Sequence, residues 1–188
     1  MTDSNDLTAA NLASTDPNIP PEFWQGIDQF NQGEFYACHD TLEAIWMEAI
    51  EPDRTFYQGI LQIAVGLYHL GNHNWRGCLT LLGEGIRRLG PYQPDYFTVE
   101  VTPLVTTAQL LLQTLQQAGP EGTEAIATHI HAHYPHSSQV ATAPTPKNTD
   151  TLLHKERPKN EQPQDKLPQG ELPQGELRSP VITRIISK

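Results

Sequence analysis

Twenty-one consecutive residues, Thr55 to Trp75, contain no Asp, Glu, Lys or Arg, yet Gln58, Gln62 and His69 recur within them at helical spacing. At about 100° per residue these three form a narrow stripe, and Phe56, Tyr57, Ile60, Leu61, Ala64, Leu67 and Tyr68 cover a broad opposite arc. A helix that is apolar on most sides is central to its fold, and its few polar groups need partners inside it. The preceding helix is expected to supply them, because His39 and Glu43 stand four apart there.

The flanking sequence divides into further helices. Pro20 and Pro21 open a first, with Phe23, Trp24, Ile27 and Phe30 on one side and Gly33 as its terminator. A second runs from about Glu34 to Ile50, with Phe35, Cys38, Leu42, Ile45 and Ala49 at the 3-4-3-4 spacing of a packed face. Pro52 stops it, and Asp53 is placed to cap a third helix from Arg54 to about Leu70, closed by Gly71. A fourth, Trp75 to Leu89, ends at Gly90-Pro91, and its last-turn Arg87-Arg88 suits the helix dipole. Thr102-Pro103 starts a fifth through Leu115, and a weaker sixth lies around Glu121 to Ile130. No sustained alternation occurs in this part, so the class is all-α: about five helices, as two packed hairpins plus a further helix. Gly59 and Gly66 on the third helix are expected to admit a neighbour at close range. At an offset of forty, Phe35, Cys38, Leu42 and Trp46 map onto Trp75, Cys78, Leu82 and Ile86, whereas His39 becomes Leu79 and Glu43 becomes Gly83. Packing alone therefore does not demand a His and a Glu at those positions.

Only part of the chain has the composition of a folded body. Residues 1–19 are a polar arm, 20–118 the helical domain, 119–136 a weak helix with a His-rich end, and 137–188 a proline-rich tail without aromatic residues. Arm and tail are expected to be disordered, for they offer too little apolar surface to offset the entropy of ordering. Residues 20–118 hold eleven Asp or Glu against four Lys or Arg, a net of −7. That acidity disfavours a nucleic-acid partner, and the tail's scattered charges do not form a basic arm. The polar opening Met1-Thr2-Asp3 is no secretory signal, and a third helix of about sixteen residues is short of the roughly twenty that cross a bilayer. A cytoplasmic protein with no membrane partner is expected, with Cys38 and Cys78 as reduced, buried thiols. A protein partner could dock on a helix surface or on the tail.

The stretch from Gly33 to Trp46, containing His39, Asp40 and Glu43, is followed by Phe56-Tyr57-Gln58-Gly59-Ile60-Leu61-Gln62 and by Tyr68-His69-Leu70-Gly71-Asn72. Over about residues 22–117 these paired motifs resemble the domain-of-unknown-function 309 family, in which a His, an acid and a Glu precede a Trp. The resemblance implies a compact all-helical array of bacterial and plastid type. It implies no activity.

Three readings of the polar constellation stand side by side. His39, Glu43 and His69 are the minimal two-histidine, one-carboxylate set for a divalent metal such as Zn²⁺ or Fe²⁺. Alternatively, Glu43 is a catalytic base held by His39 in a small-molecule pocket lined by Gln58, Gln62 and Trp46. The third is a buried structural network in a non-catalytic interaction module, Glu43 accepting from His39 while Gln58, Gln62 and His69 join the helices. Asp40 points further toward solvent and is given a minor role. The His129, His131, His133 and His136 run suits loose metal capture by composition, but its polar setting favours a solvated run.

Overall fold

The computed structural model describes residues 19–134 and 177–185. Six helices occupy the first span: α1 Pro21–Gln32, α2 Phe35–Glu48, α3 Asp53–Gly71, α4 Trp75–Leu89, α5 Val101–Ala118 and α6 Thr123–His131. The apolar run became the centre, since every residue of α3 from Phe56 to Leu70 is buried. Both α2 and α4 pack on α3, α1 packs on α2, α5 on α4, and α6 closes against α3. The fold is mostly helical, as its periodicities require.

Glycine sets two of these approaches. A Cβ on Gly59 would lie 2.7 Å from Leu89 Cγ, and one on Gly85 would lie 2.8 Å from the Gly59 carbonyl, so α3 and α4 meet almost backbone to backbone. Gly33 ends α1 at φ 81°, a left-handed turn, and a Cβ there would also strike Tyr134 Cβ at 2.6 Å. Asn74 caps α4 by accepting from the Gly77 amide, and Trp75 Nε1 donates to the Leu115 carbonyl, which fastens α4 to α5. Asp53 does not cap α3; it is the first helical residue, and its carboxylate accepts from the Tyr96 hydroxyl at 2.5 Å.

Two features depart from a purely helical reading. Between α4 and α5 a short hairpin pairs β1 Asp95–Tyr96 with β2 Val99–Glu100, two residues each, too brief to show as alternation. Tyr96 and Phe97 from this hairpin join Phe23, Phe56, Tyr57 and Tyr92 in one aromatic cluster. The second departure is the end of the chain. Residues 177–185, assigned from sequence to a disordered tail, lie against the domain with Ile182 buried and Val99 bridged to Arg184. The reason is legible afterwards: Val181, Ile182, Thr183 and Ile185 are β-branched and need no aromatic residue to form a strand. Residues 1–18 of the arm, and tail residues 137–176 and 186–188, lie outside the described residues.

No described helix is long and apolar enough to cross a membrane.

Candidate functional site

His39 and Glu43 leave α2 on one flank, a turn apart, with His39 only 4% exposed and Glu43 half-buried. The partner of His39 is not Glu43 but its chain neighbour: Nδ1 donates to Asp40 Oδ1 at 3.0 Å, and Asp40 is 58% exposed. One ligand atom each from His39, Asp40 and Glu43 lies within 4.8 Å of the others. Among the described residues, no other three His, Cys, Asp or Glu side chains gather in this way. Asp40 points toward solvent as expected, and adjacency along the helix still lets its short carboxylate turn back to the imidazole.

His39 Nε2 points into the protein and has no hydrogen-bond partner among the described residues. Trp46 Nε1 and Gln58 Nε2 are buried in the same condition, and the Arg54 guanidinium stacks over the Trp46 ring at 5.2 Å.

The rest of the polar stripe turns the other way. Gln62 Nε2 donates to Glu84 Oε2 at 2.8 Å and Arg88 Nε donates to Gln62 Oε1 at 3.1 Å, both partners belonging to α4. His69 Nδ1 accepts from Asn74 Nδ2 at 3.1 Å, with the Asn74 oxygen already committed to the α4 cap. His69 is thus absent from the group around His39, and the expected set of His39, Glu43 and His69 is not brought together. The expected partners lie on the preceding helix, but α4, equally close in the chain, offers Glu84 and Arg88 at i and i+4, spaced to bracket one amide.

Elsewhere, a groove of about 480 Å³ runs between the start of α1 and the α2–α3 turn, lined by Glu22, Ile45, Glu48, Ile50, Asp53 and Tyr57 among others. It contains none of the candidate residues. Burial and then the Asp53 charge push the Tyr57 hydroxyl up to about 12. The thiols of Cys38 and Cys78 are free and buried, and burial raises both, Cys78 to about 12, which keeps them protonated and unreactive. Of the histidine run, His131 is buried against Phe35, whereas His129 and His133 are exposed with their rings 5.1 Å apart. His136 lies outside the described residues.

The model for a domain of unknown function, DUF309, matches residues 23–81. The uncharacterized protein YpuF of Bacillus subtilis (strain 168) is 34% identical over 68 residues, which are 36% of this chain. The chain spans about 37% of the length of that curated relative. No solved structure matches. The matched segment runs from α1 into α4 and holds every candidate residue from His39 to His69, so the family that the His39 and Gln58 motifs resemble is DUF309.

Proposed function

We propose that His39, Asp40 and Glu43 form a divalent-cation site on the flank of α2, taking Zn²⁺ or Fe²⁺ and leaving coordination positions open to water or a small ligand. One imidazole and two carboxylates are a donor set that suits either ion. At metal–ligand distances of about 2.0–2.2 Å, tetrahedral donors stand roughly 3.3–3.6 Å apart. The 3.0 Å His39–Asp40 separation already lies near that edge, and the 4.8 Å limit of the group asks Glu43 for about an ångström of rotamer adjustment.

The observation that carries this reading is the convergence of one ligand atom each from His39, Asp40 and Glu43 within 4.8 Å, with His39 Nδ1 on the Asp40 side. Gln62, by contrast, is committed to the architecture, its amide paired at both ends with α4. A buried polar atom left without a partner costs about 1–3 kcal/mol, and the His39 position is filled by Leu79 in the repeated α4 face without such a cost. The reading as a structural network and interaction module is favoured for Gln62 and His69, and it is retained for them.

Calorimetric titration of Zn²⁺ into metal-stripped protein tests the site. One ion per chain is expected, with affinity lowered at least tenfold by His39→Ala and by Glu43→Gln, and unchanged by Gln62→Ala. Equal affinity in wild type and His39→Ala, or no saturable binding to wild type, would overturn the proposal.

A further inference from the structure

The last described residues are held in the way a bound peptide is held. Ser179 to Ile185 run extended, and their exposure alternates: Pro180 and Ile182 are buried and Arg184 half-buried, while Val181, Thr183 and Ile185 face out. Both backbone edges are engaged. On one side, Asn31 of α1 grips Ile182, its Nδ2 donating to the Ile182 carbonyl and its Oδ1 accepting from the Ile182 amide, each at 2.8 Å. On the other, the Glu100 amide donates to the Thr183 carbonyl at 2.9 Å and the Ile185 amide to the Thr98 carbonyl at 2.7 Å, adding a strand to β2. The end of α6 completes the seat, with the Tyr134 hydroxyl donating to the Pro180 carbonyl and Ser179 Oγ to the Ile130 carbonyl at 2.7 Å. The Arg184 guanidinium lies 4.0 Å over the Trp24 ring.

Main-chain hydrogen bonds along both edges, with pockets for alternate side chains, are how a fold recognises an extended peptide supplied from outside. Charge agrees: residues 177–185 carry Arg178 and Arg184 and no acid, against a domain with eleven acids and four bases over 20–118. We infer that the surface formed by α1, β2 and the end of α6 is a peptide-recognition groove that reads an extended Pro-x-Ile-x-Arg segment, and that residues 179–185 of this chain are its resident, exchangeable ligand. Ile182 is the anchor, Asn31 the clamp that fixes register, and Trp24 the platform that selects a cation two residues beyond the anchor. Because the resident segment is tethered, it competes at high effective concentration, and a free peptide gains access once it is weakened.

The test uses the full chain and a labelled peptide of residues 177–188, followed by fluorescence anisotropy. Ile182→Asp in the chain should disable the resident segment, so this variant should bind the wild-type peptide at least tenfold more tightly than the wild-type chain does. Adding Asn31→Ala to that variant should weaken the peptide at least tenfold, and a peptide carrying the same Ile182→Asp change should not bind. If the Ile182→Asp chain loses its helical circular dichroism, Arg184→Ala, which removes no core side chain, replaces it under the same criteria. Uptake no tighter than by wild type in a folded variant, or indifference to Asn31→Ala, would refute the groove. Amide exchange on the wild-type chain gives an independent reading: the Ile182, Ile185 and Glu100 amides should be protected, and exchange at the rate of free peptide at Ile182 and Ile185 would equally overturn it.

Discussion

A buried amide with both ends occupied, such as Gln62 between Glu84 and Arg88, acts as a spacer between two helices, and its loss removes two hydrogen bonds that join α3 to α4. Gln62→Ala should therefore lower stability by about 1–3 kcal/mol in urea denaturation. Glu43 is half-buried and donates to or accepts from no described residue that its removal would strand. Glu43→Gln keeps its size and should change stability by about 1 kcal/mol or less while removing Zn²⁺ uptake. If instead Glu43→Gln costs several kcal/mol and metal is bound by neither protein, Glu43 belongs to the architecture and the cation site is wrong. The two variants differ in kind because one side chain is bonded on both sides and the other is left available.

Among the elements, those with strong periods were readable almost to the residue. The fourth helix was expected at Trp75 to Leu89 and occurs there, and the third was expected from Arg54 to about Leu70 and runs Asp53–Gly71. The β1–β2 hairpin escaped because two-residue strands have no period, and its aromatic residues act through contacts distant in sequence. The partners of the glutamine stripe escaped for a different reason: a helical wheel gives the direction of a side chain but not which neighbour stands there. Close packing of α3 on α4 supplies a sharp test. Gly59→Ala places a Cβ 2.7 Å from Leu89 and should cost about 1–3 kcal/mol, whereas Gly83→Ala on α4 meets nothing nearer than Leu112 at 4.0 Å and should stabilise by about 0.5–1 kcal/mol. On α6, burial holds His131 below its ordinary value, partly offset by the nearby Leu67 carbonyl, with the His73 charge adding to the lowering. A lowered folded value means that the unfolded chain takes up the proton first. Stability is then complete above the ordinary imidazole value of about 6.5 and falls as the pH drops toward the folded value. Thermal melts at pH 7.5 and 5 should show a larger drop for wild type than for His131→Phe, which suits the ring contacts with Phe35 and Tyr134; equal drops would remove His131 as a source.

At the scale of the molecule, the docked C-terminal segment decides how a truncated chain behaves. A proline-rich tail expected to be disordered would be removable after Pro135 with no effect on unfolding, but this cut also takes away Ile182, its two hydrogen bonds to Asn31 and the segment bridged to β2. Burying one isoleucine contributes about 1.5–3 kcal/mol, and each neutral hydrogen bond about 0.5–1.5 kcal/mol. Against this stands an ordering cost of about 1–2 kcal/mol for every residue fixed, plus the entropy of closing the intervening chain. Opposing contributions of similar size leave a small net stabilisation, which is what an exchangeable occupant requires. Truncation after Pro135 should accordingly lower the unfolding midpoint by only a few degrees, while uncovering Trp24 where the Arg184 guanidinium had lain 4.0 Å from the ring. Acrylamide quenching of tryptophan fluorescence should rise in the shortened protein, since Trp46 remains buried and Trp75 remains tied to Leu115, and free peptide 177–188 should reverse the rise. A fall in midpoint beyond about 15 °C would instead make the segment an integral part of the core, for at roughly 2–4 °C per kcal/mol that fall exceeds any small difference between burial and ordering.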